Sequence, residues 1–542
     1  MTQPIDNLIQ NISPEIIQDF FKKKISSFRP EKEALDYVLK DADMEQFSGL
    51  TKLGEAAYDD TNELLVFACH FKGELTARSS KKKQYTIAKN VLKEDFKDGA
   101  IFVFYDDERQ FRFSFIRRIY GDKERKYTNW KRYTYFISPN KANKTFRKQI
   151  NSCSFDSLDA ILKAFSIDAV TDDFYNEFKP KFDHIANSIV GDADSGVKKD
   201  FALLFVIRTI FIGFVQKRKW LGNSDEFVQN LWKKYSSHEE NDDSFYKNWY
   251  EPLLFDALNT PPGSEVKYRN NNYSEETRLN LKMAPYLNGE LFKRKQKVDT
   301  IGLYIPDKVV GEFFEFLFSY NFTVEENTLY DEELELNPEF LGIIFERLVN
   351  KEDGAVYTPR TEVDFMCRIS LVKWLQKVSQ ADIKDIYHMF FIEMGAGEEY
   401  KDFQKYGDFS AAEIKELIHL LKNVTVCDPA AGSGAFPVGM MQVLNEIIAN
   451  LQNRPNTPNE LKEADDFERK KSIIANSLYG VEVKQWAVWI NQLRLWLSLF
   501  VEIPDERENE FKLSPMPLLP NLDFKIRYGD SLVQRIGEKL FP

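Results

Sequence analysis

The run Cys427-Asp428-Pro429-Ala430-Ala431-Gly432-Ser433-Gly434-Ala435-Phe436 constrains this chain more than any other feature in it. It stands between a short apolar stretch, Val424 to Asp428, and a helical one, Phe436 to Leu451. Glycines on both sides of a serine let the backbone pass close to a ligand at the carboxyl edge of a sheet. An acid at the strand end can take a hydrogen bond or an ammonium group. The GxGxxG of a nicotinamide-binding turn does not match DPAAGSG. A tight turn of small residues with no ligand is the plainer alternative, and the residues that follow weigh against it.

From about residue 331 the chain reads as alternating strands and helices. VTVCD is a short buried strand, FPVGMMQVLNEIIANL a helix, SLYGVEV a strand, QWAVWINQLRLWLSLF a helix, and DFKIRYGDSL a strand and turn. This is the βαβαβ order of a doubly wound parallel sheet. Glu482 ends the second strand, where a carboxylate suits the hydroxyls of a ribose. Asp530 ends the third and, with Ser531, can hold the edge of an adenine ring. One such acid is ordinary. Acids at successive strand ends, the first with a Gly-Ser-Gly turn, describe a pocket for a charged adenosine derivative.

The rest of the chain is organised differently. With 542 residues and 43% hydrophobic content it can bury large cores, and about three domains are expected. Residues 1–155 read as α/β. Residues 156–330 read as helical, and within them DFALLFVIRTIFIGFVQKRKWLG is too polar to cross a membrane and fits a buried helix. An acidic stretch from Glu325 to Glu335 reads as a linker. In GAVYTPRTEVDFM, Tyr357-Thr358-Pro359 forms a turn, and Thr358 or Thr361 is expected to cap the next helix. No signal peptide, membrane span, disulfide framework or metal-ligand spacing is read, and the cytoplasm is the expected compartment. Net charge is −12. The residues from Arg109 to Lys148 nonetheless concentrate basic side chains, including Arg117, Arg118, Lys131 and Arg132. Such a face can release phosphate counterions, so nucleic-acid contact stands beside the plainer reading of solvated strand faces. Aromatic and basic residues alternate there with period two, as in strands with one buried face.

At this point a resemblance is clear. DPAAGSGAF is similar to the first motif of amino-methyltransferases acting on DNA, GVEV to the second and GDSL to the third. GAVYTPRTEVDFM resembles the motif that these enzymes place ahead of the first one in the gamma order. LNPEFLGIIFERLV, PYLNGELF and the helix ending KRKWLG resemble segments of large type II restriction–modification methylases that join modification and cleavage. The resemblance implies an α/β chain with an N-terminal α/β domain over 1–155 and a helical connector over 156–330. It makes 331–542 an incomplete doubly wound, Rossmann-like methyltransferase domain dependent on S-adenosyl-L-methionine. By it, Asp428, Pro429, Gly432, Ser433, Gly434 and Phe436 meet the methionine part and its backbone approach. Glu482 holds the ribose, Asp530 and Ser531 the adenine, and Tyr357, Thr358 and Pro359 line the methionine side. Lys484 departs from the pattern, since many relatives carry a second acid there.

The same resemblance expects an Asn or Asp followed by Pro-Pro and an aromatic residue, which holds and stacks a flipped base. No such tetrapeptide occurs in the sequence, and Asn337-Pro338 continues to Glu. No catalytic residue is therefore assigned. The expected partners are double-stranded DNA and a downstream segment carrying the catalytic and target-recognition parts. At the N-terminus such enzymes often carry a nuclease in which acids and a lysine bind a metal. The candidates are Asp59 or Asp60, His70-Phe71-Lys72 and Gln84, with His70 where an acid is wanted and Glu74 a substitute only after a register change. An active nuclease, a degenerate or DNA-contacting module and a plain structural domain all remain open. For the whole chain the first reading is an adenine-specific DNA methyltransferase of a restriction–modification or phage-defence system. The rivals are a non-catalytic fragment that binds S-adenosylmethionine and DNA, and an RNA or protein methyltransferase.

Overall fold

Glu63-Leu64-Leu65-Val66-Phe67-Ala68-Cys69-His70-Phe71 is apolar at odd and even positions alike, a pattern that suits a strand covered on both faces. A computed structural model of the protein describes residues 4–59, 62–76, 80–95, 99–119, 129–141, 143–237, 242–264, 272–282, 284–287, 290–322, 331–334, 336, 338–350, 358–392, 407–462, 465–518, 520–522, 524–533, 535–536 and 539–540. Contacts divide the chain into two units, Met1–Glu177 with Phe316–Phe340, and Phe178–Glu315 with Leu341–Pro542.

The first unit is built on a seven-stranded sheet whose spatial order follows the sequence. Its strands are β1 (Phe28–Ala34), β2 (Phe47–Ala57), β3 (Glu63–Phe71), β4 (Gly99–Tyr105), β5 (Phe111–Ile119), β6 (Asn129–Ile137) and β7 (Asp331–Glu333). β3 and β4 run parallel, joined by helix α3 (Lys81–Asp95), and β6 and β7 are parallel too. Helices α1 (Pro4–Gln10), α2 (Pro14–Lys24), α4 (Lys144–Ser152) and α5 (Leu158–Ala164) share a core with Leu64, Val66, Ala68, Phe111, Phe113 and Phe115. Leu65, Phe67, Cys69, Phe102 and Phe104 join Ile87, Val91 and Leu92 of α3 in a second core. Period two therefore serves two buried faces.

That corrects the expectation of a single buried face along β5 and β6. Arg112 and Ser114 are fully buried, as is Thr134 opposite Ser114, with which it shares a 2.8 Å hydrogen bond. The Arg112 guanidinium donates to the Thr76 carbonyl at 2.9 Å and lies over Phe136. Arg132, 1% exposed, lies over the Tyr85 ring of α3. The crossover helix covers the face that the basic residues were expected to present to water. Asp331–Glu333, read as part of an acidic linker, instead adds to the sheet, with Asp331 in register with Arg132.

The second unit holds the long helix α6 (Ser195–Lys217), in which every residue from Phe201 to Gln216 is buried. Its Arg208 is satisfied inside the core by both carboxylate oxygens of Asp299, each at 2.7 Å, and by the Leu291 carbonyl at 2.8 Å. Pairing of this kind is what a buried guanidinium requires. No helix among the described residues is long and apolar enough to cross a membrane.

Towards the C-terminus come α7 (Pro338–Asn350), α8 (Arg360–Val378), α9 (Ala411–Asn423), β8 (Val426–Asp428), α10 (Ala435–Gln452), α11 (Asp466–Asn476), β9 (Leu478–Glu482), α12 (Gln485–Phe500) and β10 (Ile526–Tyr528). β8, β9 and β10 form a parallel three-stranded sheet in the order β10-β9-β8. The expected alternation of strand and helix is thus present. Among the described residues, β8 is an edge.

Candidate functional site

Register sets the row of acids. Asp428 pairs with Gly480, so Glu482 stands two residues further along, and Tyr528 pairs with Glu482, so Asp530 stands two beyond that. At about 3.3 Å of rise per residue and about 4.8 Å between strands, successive acids are staggered by roughly 8 Å at Cα. Even spacing brings Asp428 and Glu482 out on one face of the sheet. The sheet edge therefore presents a diagonal of carboxylates, and each has a different environment.

Glu482 is 9% exposed, and both its oxygens accept main-chain N–H groups, Oε2 from Gly432 and Oε1 from Lys484, each at 2.9 Å. It pins the Gly-Ser-Gly turn to the end of β9. An ionised carboxylate offers about four acceptor sites, so each oxygen keeps one more. Asp428 is half-buried. Its Oδ1 accepts the Ala430 N–H at 3.0 Å, while the buried Oδ2 has no hydrogen-bond partner among the described residues. Burial raises its carboxyl above the ordinary aspartate range; the Ala430 N–H opposes this and the nearby Glu482 charge adds to it. Asp530 is exposed, and its Oδ1 accepts the Leu532 N–H at 2.9 Å. The Ser531 hydroxyl donates to the Pro429 carbonyl at 2.6 Å and ties the third loop to the first.

The turn itself is held from behind. Gly432 has φ +52°, and a Cβ there would meet nothing within 4 Å. Gly434 has φ +92°, and a Cβ there would lie 2.6 Å from the side chain of Asn491 on α12. Glycine at 434 is thus required twice over, by conformation and by space. Arg494, one turn further along α12, donates to the Ser433 carbonyl at 3.1 Å. It reaches there past Gly342 of α7, where a Cβ would lie 2.6 Å from its Nε. Asn491 and Arg494 are functional candidates that the sequence reading missed. The available signal was an amide and a guanidinium spaced i, i+3 within the mostly apolar QWAVWINQLRLWLSLF.

A cavity of about 210 Å³ opens beside β8, lined by Met366 and Cys367 of α8, Cys427 and Asp428 of β8, and Phe436 and Met440 of α10 among others. Phe436 and Asp428 both line it, and Glu482 and Asp530 do not. Pro359 is the N-cap of α8, and among the described residues no side chain caps that helix, so neither Thr358 nor Thr361 does what was expected of it. The turn is closed by proline's fixed φ of −58° instead. Thr358 is half-buried and Pro359 exposed beside it. Tyr357 lies outside the described residues.

The N-terminal candidates do not converge. Asp59 lies in the turn between β2 and β3, binding Asn62 through both oxygens at 2.7 Å, whereas Ser48 is the residue opposite His70. Asp60 lies outside the described residues. His70 contacts the Ser48 hydroxyl at 3.4 Å and Asp107 at 3.0 Å, Lys72 donates to the Met44 carbonyl at 2.8 Å, and Gln84 is buried. Among the described residues no cluster of His, Cys, Asp or Glu is placed to hold a metal. Of the basic residues, Arg117 is half-buried and paired with Asp159 at 2.5 Å, and Lys131 lies over Tyr133. The guanidinium of Arg132 is buried, which corrects its assignment as a phosphate contact. For Arg118 only the backbone, in β5, lies within the described residues, and Lys123, Arg125 and Lys126 lie outside them altogether.

Residues 403–532 match the family described as MmeI, DNA-methyltransferase domain. A type II restriction enzyme and methyltransferase of Methanocaldococcus jannaschii is 30% identical over 361 residues, 63% of this chain. The chain spans 28% of that relative's length. Among solved structures, the type IIL restriction-modification enzyme MmeI in complex with DNA aligns at TM-score 0.38 and 16% identity, over 68% of this chain and 41% of that one. A DrdV–DNA complex aligns at TM-score 0.27 and 11% identity, over 97% and 39%.

Proposed function

We propose that the C-terminal sheet, in a chain whose residues 403–532 match the MmeI DNA-methyltransferase domain family, binds S-adenosyl-L-methionine for methylation of adenine in DNA. When bound, that cofactor supplies an electrophilic methyl group on a sulfonium. The residues present fit it. The buried Oδ2 of Asp428, without a hydrogen-bond partner among the described residues, favours a cationic or hydrogen-bond-donating group, and the open space over Gly432 admits one against the backbone. Glu482 keeps acceptor capacity for a ribose while it holds the turn, and Asp530 with Ser531 stands where an adenine edge completes the row. Phe436 and the thioether of Met440 give the cavity beside Asp428 an apolar wall for a methionine chain.

The observation that carries this reading is the staggered row of acids at the ends of three adjacent parallel strands, with the Gly-Ser-Gly turn on the first. Adenine as the target rests on the gamma order, GAVYTPRTEVDFM ahead of DPAAGSGAF. The base-holding tetrapeptide is not in this sequence, so the residues here are assigned donor binding only. In the N-terminal unit, Arg117 and Lys131 are assigned non-specific contact with DNA phosphates.

Calorimetric titration of the chain with S-adenosylhomocysteine tests the donor site. Asp428→Ala and Glu482→Ala should each weaken binding by tenfold or more. Equal affinity in the parent and both variants overturns the assignment.

A further inference from the structure

Asn491 has an unusual position for an amide. It is fully buried, and neither its Nδ2 nor its Oδ1 has a hydrogen-bond partner among the described residues. Its side chain packs against Gly434, so close that a Cβ there would stand 2.6 Å from Oδ1 and 3.1 Å from Nδ2. Gly434 is in turn the N-cap of α10, and among the described residues no side chain caps that helix. An uncapped helix start carries free N–H groups and partial positive charge, suited to a carboxylate. Immediately behind it sits a polar group left unsatisfied where every unmet hydrogen bond is costly.

We propose that Asn491 is a positioning residue whose amide is engaged only when ligand occupies the turn. The ligand is the amino-acid end of the methyl donor, so the inference rests on the donor-site reading above. A carboxylate at the start of α10 draws the main chain of Gly434 towards the ligand. The peptide groups that then turn towards α12 meet the Asn491 amide, whose donor and acceptor stand ready on the far side. Arg494, bonded to the Ser433 carbonyl, fixes the other edge of the turn and restricts the movement to Gly434. The unliganded turn thus carries an unmet amide, and ligand binding gains its hydrogen bond.

Asn491→Leu keeps the shape of the side chain and removes its polar atoms, so the two states should respond in opposite senses. Without ligand, the melting temperature of the full chain should stay level or rise by about 2 °C, because an unsatisfied amide has been replaced by a hydrocarbon. In calorimetry with S-adenosylhomocysteine, affinity should fall about tenfold, the equivalent of one hydrogen bond. A merely structural amide predicts the reverse, a lower melting temperature with affinity unchanged, and that result overturns the proposal. Should Asn491→Leu not fold, Asn491→Ala carries the affinity test, since an unchanged dissociation constant there is equally fatal. Asp428→Ala in the same titration separates the two levels. If Asp428→Ala loses binding and Asn491→Leu does not, only this proposal fails. If neither variant changes affinity, the donor site fails and takes this proposal with it.

Discussion

Glu482 and Asp428 end neighbouring strands, and their neutral amides should shift stability in opposite directions. Glu482→Gln keeps one acceptor and turns an NH₂ towards either the Gly432 or the Lys484 N–H, since both of its oxygens accept main-chain donors at 2.9 Å. One charge-assisted hydrogen bond is lost and the other weakened, a cost of about 2–3 kcal/mol. For a unit of this size that corresponds to roughly 3–4 °C in melting temperature. Asp428→Asn removes a charge whose buried Oδ2 has no hydrogen-bond partner among the described residues, and should stabilise the unliganded chain by about 1 kcal/mol. The pH dependence follows from the direction of its shift. A carboxyl raised by burial binds its proton more tightly in the folded state, so its contribution is most favourable below the ordinary aspartate range and is lost as pH rises through the raised value. The Asp428→Asn advantage should therefore be full at neutral pH and vanish below about pH 4. Scanning calorimetry at pH 7.5 and pH 4, without ligand, gives both answers. Destabilisation by both amides at neutral pH would refute the division of roles between the two acids.

The remaining predictions concern the other parts of the chain. Asp299→Asn should destabilise by about 3–5 kcal/mol in urea unfolding, because it strands the fully buried Arg208 guanidinium; a change under 1 kcal/mol would show that the pair is dispensable. Arg117→Glu with Lys131→Glu should reduce the slope of log affinity for DNA against log salt by about two, and an unchanged slope would remove these residues from the DNA contact. Arg132→Glu should instead fail to fold, since it would place an acid in the core covered by α3.

The C-terminal sheet was legible in the sequence because its signals are local. A short apolar run, an acid and Gly-Ser-Gly specify a strand end and the turn after it within ten residues, and the same reading located Glu482 and Asp530. The basic strands misled because one-dimensional charge does not say what lies above it. Arg112 and Arg132 alternate with aromatics as solvent-facing residues would, and only the docking of α3 makes that face a second core. β7 was hidden for a related reason. Three acidic residues carry no strand pattern, and their partner, β6, lies about two hundred positions earlier. Asp59 is kept apart from His70 by hairpin register, which puts Ser48 opposite His70.

The acids of the C-terminal row looked alike in sequence and differ in what they have left to give. Glu482 spends an acceptor from each oxygen on the main chain that shapes the turn, so its charge is already partly balanced by peptide dipoles. Asp530 is exposed, where water screens it. Asp428 is half-buried with one oxygen unengaged and Glu482 near enough to add repulsion, so it is the least comfortable charge of the row. A cation placed there relieves burial and repulsion together, and the relief is available to a sulfonium or an ammonium but not to a neutral nucleoside. On this account the preference of the site for a charged adenosine derivative resides mainly in Asp428, while Glu482 contributes shape. Asp428→Asn should then narrow the gap in affinity between S-adenosylhomocysteine and 5′-deoxy-5′-methylthioadenosine, which lacks the amino-acid end, to about tenfold, the share that the carboxylate keeps at the start of α10. Glu482→Gln should weaken both ligands and leave their ratio near that of the parent. A ratio that collapses in Glu482→Gln and survives in Asp428→Asn would reverse the assignment.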